Sequence, residues 1–221
     1  MLDVFSVVDY GAKADGVTDD TRAIQKTISK CNKNEGGTVY FPSGKYLMST
    51  IFLESNIKIY LEAGAIIIGS PEISDYIHKG NRMGLFYAKD KENITIGGSG
   101  IINGNGDIFF GEEMKKTRDT FDFDINMVRQ GEKYLKEPED MKDGPLKPEE
   151  RPGQMMIFAN CKNIKIKDIT IENSPHWTIH FADCNIVNVK SITIDNNMLI
   201  PNNDGIHFTS SKNIRISDCY I

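Results

Sequence analysis

A repeat that returns first after 23 residues and then after 27 constrains this chain more than any other feature. Cys161-Lys-Asn-Ile-Lys-Ile-Lys-Asp-Ile-Thr-Ile-Glu-Asn173 aligns with Cys184-Asn-Ile-Val-Asn-Val-Lys-Ser-Ile-Thr-Ile-Asp-Asn196, and Ser211-Lys-Asn-Ile-Arg-Ile-Ser-Asp-Cys-Tyr-Ile221 begins a third copy. Periods of roughly 20 to 50 residues belong to solenoids, whose units bury an apolar face only by stacking on their neighbours. Stacking also sets side chains from distant positions side by side, so a site can be assembled from one residue per coil.

The pattern inside each unit selects the kind of solenoid. Asn56-Ile-Lys-Ile59, Asn93-Ile-Thr-Ile96, Asn163-Ile-Lys-Ile166 and Asn213-Ile-Arg-Ile216 alternate apolar and polar residues over short spans, the mark of strands with one face inward. The leading asparagine tolerates left-handed backbone and can hydrogen-bond its equivalent on the next coil. Strand-only repeats dominated by Ile and Val predict an all-β, right-handed parallel β-helix. A leucine-rich repeat would need the Leu-x-x-Leu-x-Leu consensus and intervening helices, which are missing. Near the N-terminus, residues 18–31 read as a capping amphipathic helix, with Thr18 or Asp19 as cap and Ala23, Ile24, Thr27, Ile28 and Cys31 on one face. The whole chain, 1–221, is expected to be one truncated β-helix domain with a charged insertion at 107–150, a long loop or small helical excursion.

Charge and cysteine usage exclude several classes. The net charge is −5, and residues 107–150 alone hold 13 acidic and 8 basic side chains, so the remainder is neutral. That balance argues against a nucleic-acid partner. No apolar run approaches the roughly 20 residues that span a bilayer, so no membrane role is expected. No signal peptide is visible at the start, which makes a cytoplasmic location the expectation. Cys31, Cys161, Cys184 and Cys219 have no CxxC spacing, so no metal site is expected. Cys161 and Cys184 share a repeat position, close enough to bridge in principle, and are read as a ladder of buried free thiols.

The strongest candidate for chemistry is Pro201-Asn-Asn-Asp-Gly-Ile-His207. Its polar residues could simply build a coil turn, or Asp204 could act on a ligand that Gly205 lets approach. Four passages resemble glycoside hydrolase family 28, the polygalacturonases. Asp9-Tyr-Gly-Ala-Lys-Ala-Asp-Gly-Val-Thr-Asp-Asp-Thr-Arg-Ala-Ile-Gln25 resembles the N-terminal cap of pectin-active, pectate-lyase-like β-helices, and Gly37-Thr-Val-Tyr-Phe-Pro-Ser-Gly-Lys-Tyr46 extends it. Ile102-Asn-Gly-Asn-Gly106, Arg151-Pro152 and Asn173-Ser-Pro-His-Trp-Thr-Ile-His180 are closer to the family itself, and Pro201–His207 resembles its Asn-Thr-Asp-Gly signature.

The resemblance implies inverting hydrolysis of α-1,4-galacturonosyl bonds in a pectic poly- or oligosaccharide, without metal or organic cofactor. Such a reaction needs two carboxyls roughly 6.5–9.5 Å apart, one to protonate the leaving oxygen and one to activate water. Asp204 matches the signature aspartate that activates water, and Asn202 the asparagine that orients the site or a sugar hydroxyl. His180 and Trp177 match the Ser-Pro-x-Trp coil, where Trp177 either stacks on a sugar ring or packs in the core. Two departures are visible: Asn203 replaces threonine, and His207 stands where many members carry aspartate, so His207 becomes a candidate substrate contact. His176 and His78 are assigned surface or packing roles only. The family's Gly-Asp-Asp motif, which carries the general acid, would fall after Ile221, so residues 1–221 alone are expected to be catalytically incompetent. Two other readings remain: a tailspike-like β-helix that only holds carbohydrate, and a calcium-dependent pectate lyase, which would need clustered acidic ligands.

Overall fold

The computed structural model describes residues 3–113, 146–148 and 150–221. Three parallel sheets wrap one apolar interior. The seven-stranded sheet stacks Val4–Ser6, Gly37–Phe41, Ile57–Leu61, Glu92–Gly98, Lys162–Lys167, Asn185–Lys190 and Lys212–Ser217. The six-stranded sheet stacks Asp15–Asp19, Gly44–Met48, Ala65–Gly69, Ile101–Asn103, Thr170–Glu172 and Thr193–Asp195. The five-stranded sheet stacks Ile51–Phe52, Phe86–Lys89, Met156–Ala159, Ile179–Ala182 and Ile206–Thr209. This is the parallel β-helix that the repeat predicts.

Alternation along each strand fills the interior. Ile59, Ile96, Ile166 and Val189 form one inward column, all fully buried. Phe158, Phe181 and Phe208 form another, with successive ring centroids 5.2 Å apart and nearly parallel planes. Cys161 and Cys184 are buried and unbridged, as are the other cysteines among the described residues in being free thiols. Each sulfur makes a weak contact to a carbonyl, Cys161 to Ala159 and Cys184 to Phe158 and Ala182.

Turn chemistry keeps the coils in register. From Lys89 onward, each passage from the five- to the seven-stranded sheet uses two residues, the first left-handed: Asp90, Asn160, Asp183 and Ser210. The asparagines at 56, 93, 163 and 213 are also left-handed, with φ between 56° and 60°. Asn93 Nδ2 donates to Asn56 Oδ1 and Asn163 Nδ2 to Asn93 Oδ1, each at 2.8 Å. Most of the variation in coil length lies in passages from the six- to the five-stranded sheet, and from Met156 onward all of it does. Residues 173–178 make a six-residue passage and 196–205 a ten-residue one, which accounts for repeats of 23 and 27.

The insertion is one of these passages. Its base comprises the 3-10 turn Gly106–Phe109 and an antiparallel pairing of Phe110–Glu113 with Leu146–Pro148, so residues 107–113 are not plain loop. The rest of the predicted segment, 114–145 and 149, lies outside the described residues.

The predicted 18–31 helix runs instead from Thr21 to Lys33. Asp15 Oδ1 accepts from the amides of Val17 and Thr18, which holds that stretch in its own turn. Asp19 Oδ1 takes the Thr21 amide, while buried Asp20 turns away to accept from Lys13 and Ala14. Ile24, Thr27, Ile28 and Cys31 face the interior as expected, with Ala23 at the margin. The helix also closes an edge. Gln25 donates through Nε2 to Phe52 O and accepts through Oε1 from Phe52 N, satisfying the backbone of the outermost strand of the five-stranded sheet.

Candidate functional site

Register brings the candidate residues together. Ile179–Ala182 lies beside Ile206–Thr209, which pairs His180 with His207 and Phe181 with Phe208. Because side chains alternate, the phenylalanines point into the core and the histidines point out. The loop before the second strand is tied to the coil beneath it: Thr178 N donates to Asp204 O at 2.8 Å and Ile179 N to Gly205 O at 3.2 Å. Asn196 ties this loop to the preceding coil, donating to Thr178 Oγ1 and accepting the Ser174 amide, and Asn203 donates within the loop to Asn197 O. Asn203, the residue that departs from the family's threonine, therefore works as a turn builder.

Four of the predicted residues form one cluster. The Trp177 and His207 rings stack at 3.9 Å with planes 16° apart. His180 stands edge-on to both, 5.2 Å from each centroid. His207 Nδ1 lies 3.5 Å from Asp204 Oδ2, an ion pair when the imidazole is protonated. Asp204 is about half exposed, at 47%, and His207 less so, at 34%. Trp177 is partly exposed and stacks on the outer face, outside the buried cluster, so of its two expected roles the core one is not where the structure puts it. His180 Nε2 is 3.0 Å from Thr209 Oγ1, and burial first, then His207, lowers its pKa.

Gly205 opens inward rather than to a ligand: a Cβ there would meet Ile221 Cγ2 at 2.5 Å and lie near Ile194. Asn202 is left-handed, and its Oδ1 faces Arg151 Nη2 at 3.4 Å. Beside this loop lies a hollow of about 440 Å³, lined by Asn196, Pro201, Asn202, Asn203 and Asp204 with apolar neighbours.

Two residues enter that the sequence alone had not placed there. Arg151 Nη1 donates to Pro175 O at 3.0 Å and to Pro201 O at 2.6 Å, so one guanidinium clasps the loops of two successive coils. Its other side lies over the Phe110 ring, 5.5 Å from the centroid. The Arg-Pro pair was a signal for Arg151, but its partners lie 24 and 50 residues away. His176, assigned only a surface or packing role, accepts the Trp177 amide at Nδ1, 2.7 Å away. Burial, reinforced by the Arg151 charge and opposed by Asp204, pulls its pKa down to about 4. The imidazole is thus held neutral with Nδ1 as acceptor, which fixes the backbone that carries Trp177. His78 is remote from the cluster and packs against Phe52.

A carboxylate beside an imidazole, an aromatic pair partly open to solvent and a loop locked by an arginine together suit recognition of a polar ring and proton transfer at its edge.

The chain is similar to several known proteins. A family model described as rhamnogalacturonase A/epimerase, pectate lyase-like matches residues 4–221. A probable polygalacturonase of Vitis vinifera is 29% identical over 98% of this chain and 42% of its own length. An exo-poly-alpha-D-galacturonosidase of Dickeya chrysanthemi is 28% identical over 96% of the chain and 39% of its own length. Among solved structures, a hyperthermoactive exopolygalacturonase from Thermotoga maritima superposes with a TM-score of 0.74 at 26% identity, covering 98% of this chain and 52% of that one. The chain spans about two-fifths of the length of these curated relatives.

Proposed function

The chain belongs to the rhamnogalacturonase A/epimerase, pectate lyase-like family, and from that premise we propose that its Asp204 groove takes a pectic polyuronate and serves hydrolysis of the glycosidic bond. The observation that carries this reading is the convergence of Asp204, His207, Trp177 and His180 from two adjacent coils onto one outer face. The names of the curated relatives support galacturonan as the polymer.

In this reading Asp204 accepts the proton of the attacking water. His207 sits against the Asp204 carboxylate and contacts substrate, while Trp177 and His180 form the shelf on which a sugar ring rests. Asn202 orients the loop and offers its amide to a hydroxyl. Arg151 and His176 act as positioning residues, because each holds the backbone of the loops that carry these groups. Inversion requires a second carboxyl across the bond, roughly 6.5–9.5 Å away. Among the described residues, the side chains placed against Asp204 and its loop are imidazoles, amides, an indole and a guanidinium, and the Asp107 carboxylate that reaches the loop is held by Asn197 Nδ2 at 2.8 Å. We therefore expect residues 1–221 by themselves to bind oligogalacturonides without turning them over.

A single carboxylate set among imidazoles and an indole also suits a rival reading, a groove that holds carbohydrate with no chemistry. Purified 1–221 separates the claims when mixed with polygalacturonate and with rhamnogalacturonan. Binding that weakens in Trp177→Ala and His207→Ala supports the groove, and its absence sinks it. Reducing-end release by the wild type, lost in Asp204→Asn, would show that these residues suffice for turnover and refute the binding-only expectation.

A further inference from the structure

The outward side of the seven-stranded sheet carries a feature that belongs to neither the groove nor the core. Register lines up Tyr40, Tyr60, Gly97, Lys167, Lys190 and Ser217 in one outward row. The neighbouring outward row contributes Lys58, Lys165 and Arg215. These two rows hold five cations and no carboxylate, on a chain whose net charge is −5.

At Gly97 the row has no side chain. A Cβ there would meet Lys167 O at 2.5 Å, so backbone packing enforces the gap. The rungs on either side are two strand spacings apart, roughly 9–10 Å. The space left is a hollow of about 330 Å³, floored by Gly97 and Gly98 and walled by Lys58, Tyr60, Ser99, Lys167 and Asp168. Its aromatic wall is braced, since Tyr40 stacks on Tyr60 with rings 6.2 Å apart and 15° from parallel. Lys58 Nζ lies 4.4 Å from the Tyr60 ring centroid, and Lys167 Nζ lies 3.2 Å from Asp168 Oδ2 on the opposite wall.

These groups specify a ligand class. Two ammonium groups on facing walls call for an anion. A carboxylate acceptor and a hydroxyl beside them call for hydroxyl groups on the same molecule, and a tyrosine wall calls for an apolar ring face. A sugar carboxylate meets all three demands. Lys165, beside Lys167 on the same strand, and Lys190 and Arg215 on the next two strands continue the positive charge, with Lys190 Nζ 3.9 Å from Asp218 Oδ2, and this suits a chain of such units. We propose that this hollow is a second polyuronate-binding site, holding one uronate between Lys58 and Lys167 while the following units run along the basic rows. The inference rests on the proposed function for the identity of the polymer but not on the Asp204 groove.

Affinity electrophoresis of residues 1–221 through gels containing polygalacturonate tests it, with dextran sulfate and neutral galactan as comparison polymers. Lys58→Ala/Lys167→Ala should weaken retardation about fivefold or more, the scale for two exposed charge contacts. Trp177→Ala/His207→Ala should leave the retardation due to the hollow in place, and neutral galactan should not retard the protein. Full retardation of the lysine variant overturns the site. Loss confined to the groove variant overturns it too, while leaving the groove reading intact. Loss confined to the lysine variant supports the hollow and counts against the groove. Equal retardation by dextran sulfate, equally lost in the lysine variant, reduces the hollow to generic polyanion attraction and overturns it. No retardation of the wild type by polygalacturonate overturns both readings.

Discussion

Replacing Ile186 by asparagine should stabilise this protein, and the coil stack supplies the reason. Ile186 occupies the column of Asn56, Asn93, Asn163 and Asn213, because Lys162 pairs with Asn185 and Ile164 with Val187. Its backbone is left-handed, with φ of 62°, a conformation that a β-branched residue adopts only under strain. The amide ladder breaks there: Asn163 meets no amide on the following coil, and Asn213 Nδ2 reaches diagonally to Asn185 Oδ1. Left-handed backbone costs an ordinary L-residue about 1–2 kcal/mol, and asparagine recovers a good part of that. Closing the ladder forms two amide bonds and releases one, a net gain of about 1 kcal/mol. Against this, Ile186 as a residue is 43% exposed, so losing its side chain forfeits about 1 kcal/mol of apolar burial. The balance is about +1 kcal/mol, or a Tm rise of about 2–4 °C for a chain of this size. Calorimetry should rank Ile186→Asn above wild type and Ile186→Ala below it. If asparagine melts at or below alanine, neither the strain nor the ladder has the weight argued here.

The remaining expectations concern the loops and the core. His176 is neutral in the fold with its pKa drawn down to about 4, whereas the unfolded imidazole titrates near 6.5. The unfolded state therefore binds more protons between those values. This contribution is complete above about pH 6.5 and fades as pH falls through about 4, on the order of 1–2 kcal/mol after solvent screening. Denaturation as a function of pH should show that slope, and His176→Gln should flatten it. Arg151→Gln should raise the His176 titration point seen by NMR, because burial is the first cause of the shift and the Arg151 charge the second. Phe181→Ala, which opens the middle of the phenylalanine stack, should cost about 3–5 kcal/mol in urea unfolding, and a loss under about 1 kcal/mol would mean the stack collapses freely.

What could be read from the sequence is whatever a single coil dictates. Alternation in Asn163-Ile-Lys-Ile166 yields a strand and its inward face, and the asparagine in front announces a left-handed residue. Recurrence of that unit yields stacking, and stacking yields the ladders. Asp204, His207, Trp177 and His180 could be singled out because the passages that carry them are short and contiguous, but their meeting on one outer face could not be read from either passage. The helix begins three residues after Thr18, because Asp15 takes the Thr18 amide and hydroxyl and Asp20, at the N-cap, turns its carboxylate to Lys13 and Ala14.

Tertiary structure decided which side chains meet across coils. Arg151 clasping the carbonyls of Pro175 and Pro201, His207 lying flat on Trp177, and a missing rung at Gly97 between Tyr60 and Lys167 all join residues separated by 20 or more positions. Their distances depend on register and on unequal loop lengths summed over the intervening coils, quantities that no local pattern contains. A strand's inward face is settled by its own alternation, but its neighbour is settled by how far the chain travels before it returns.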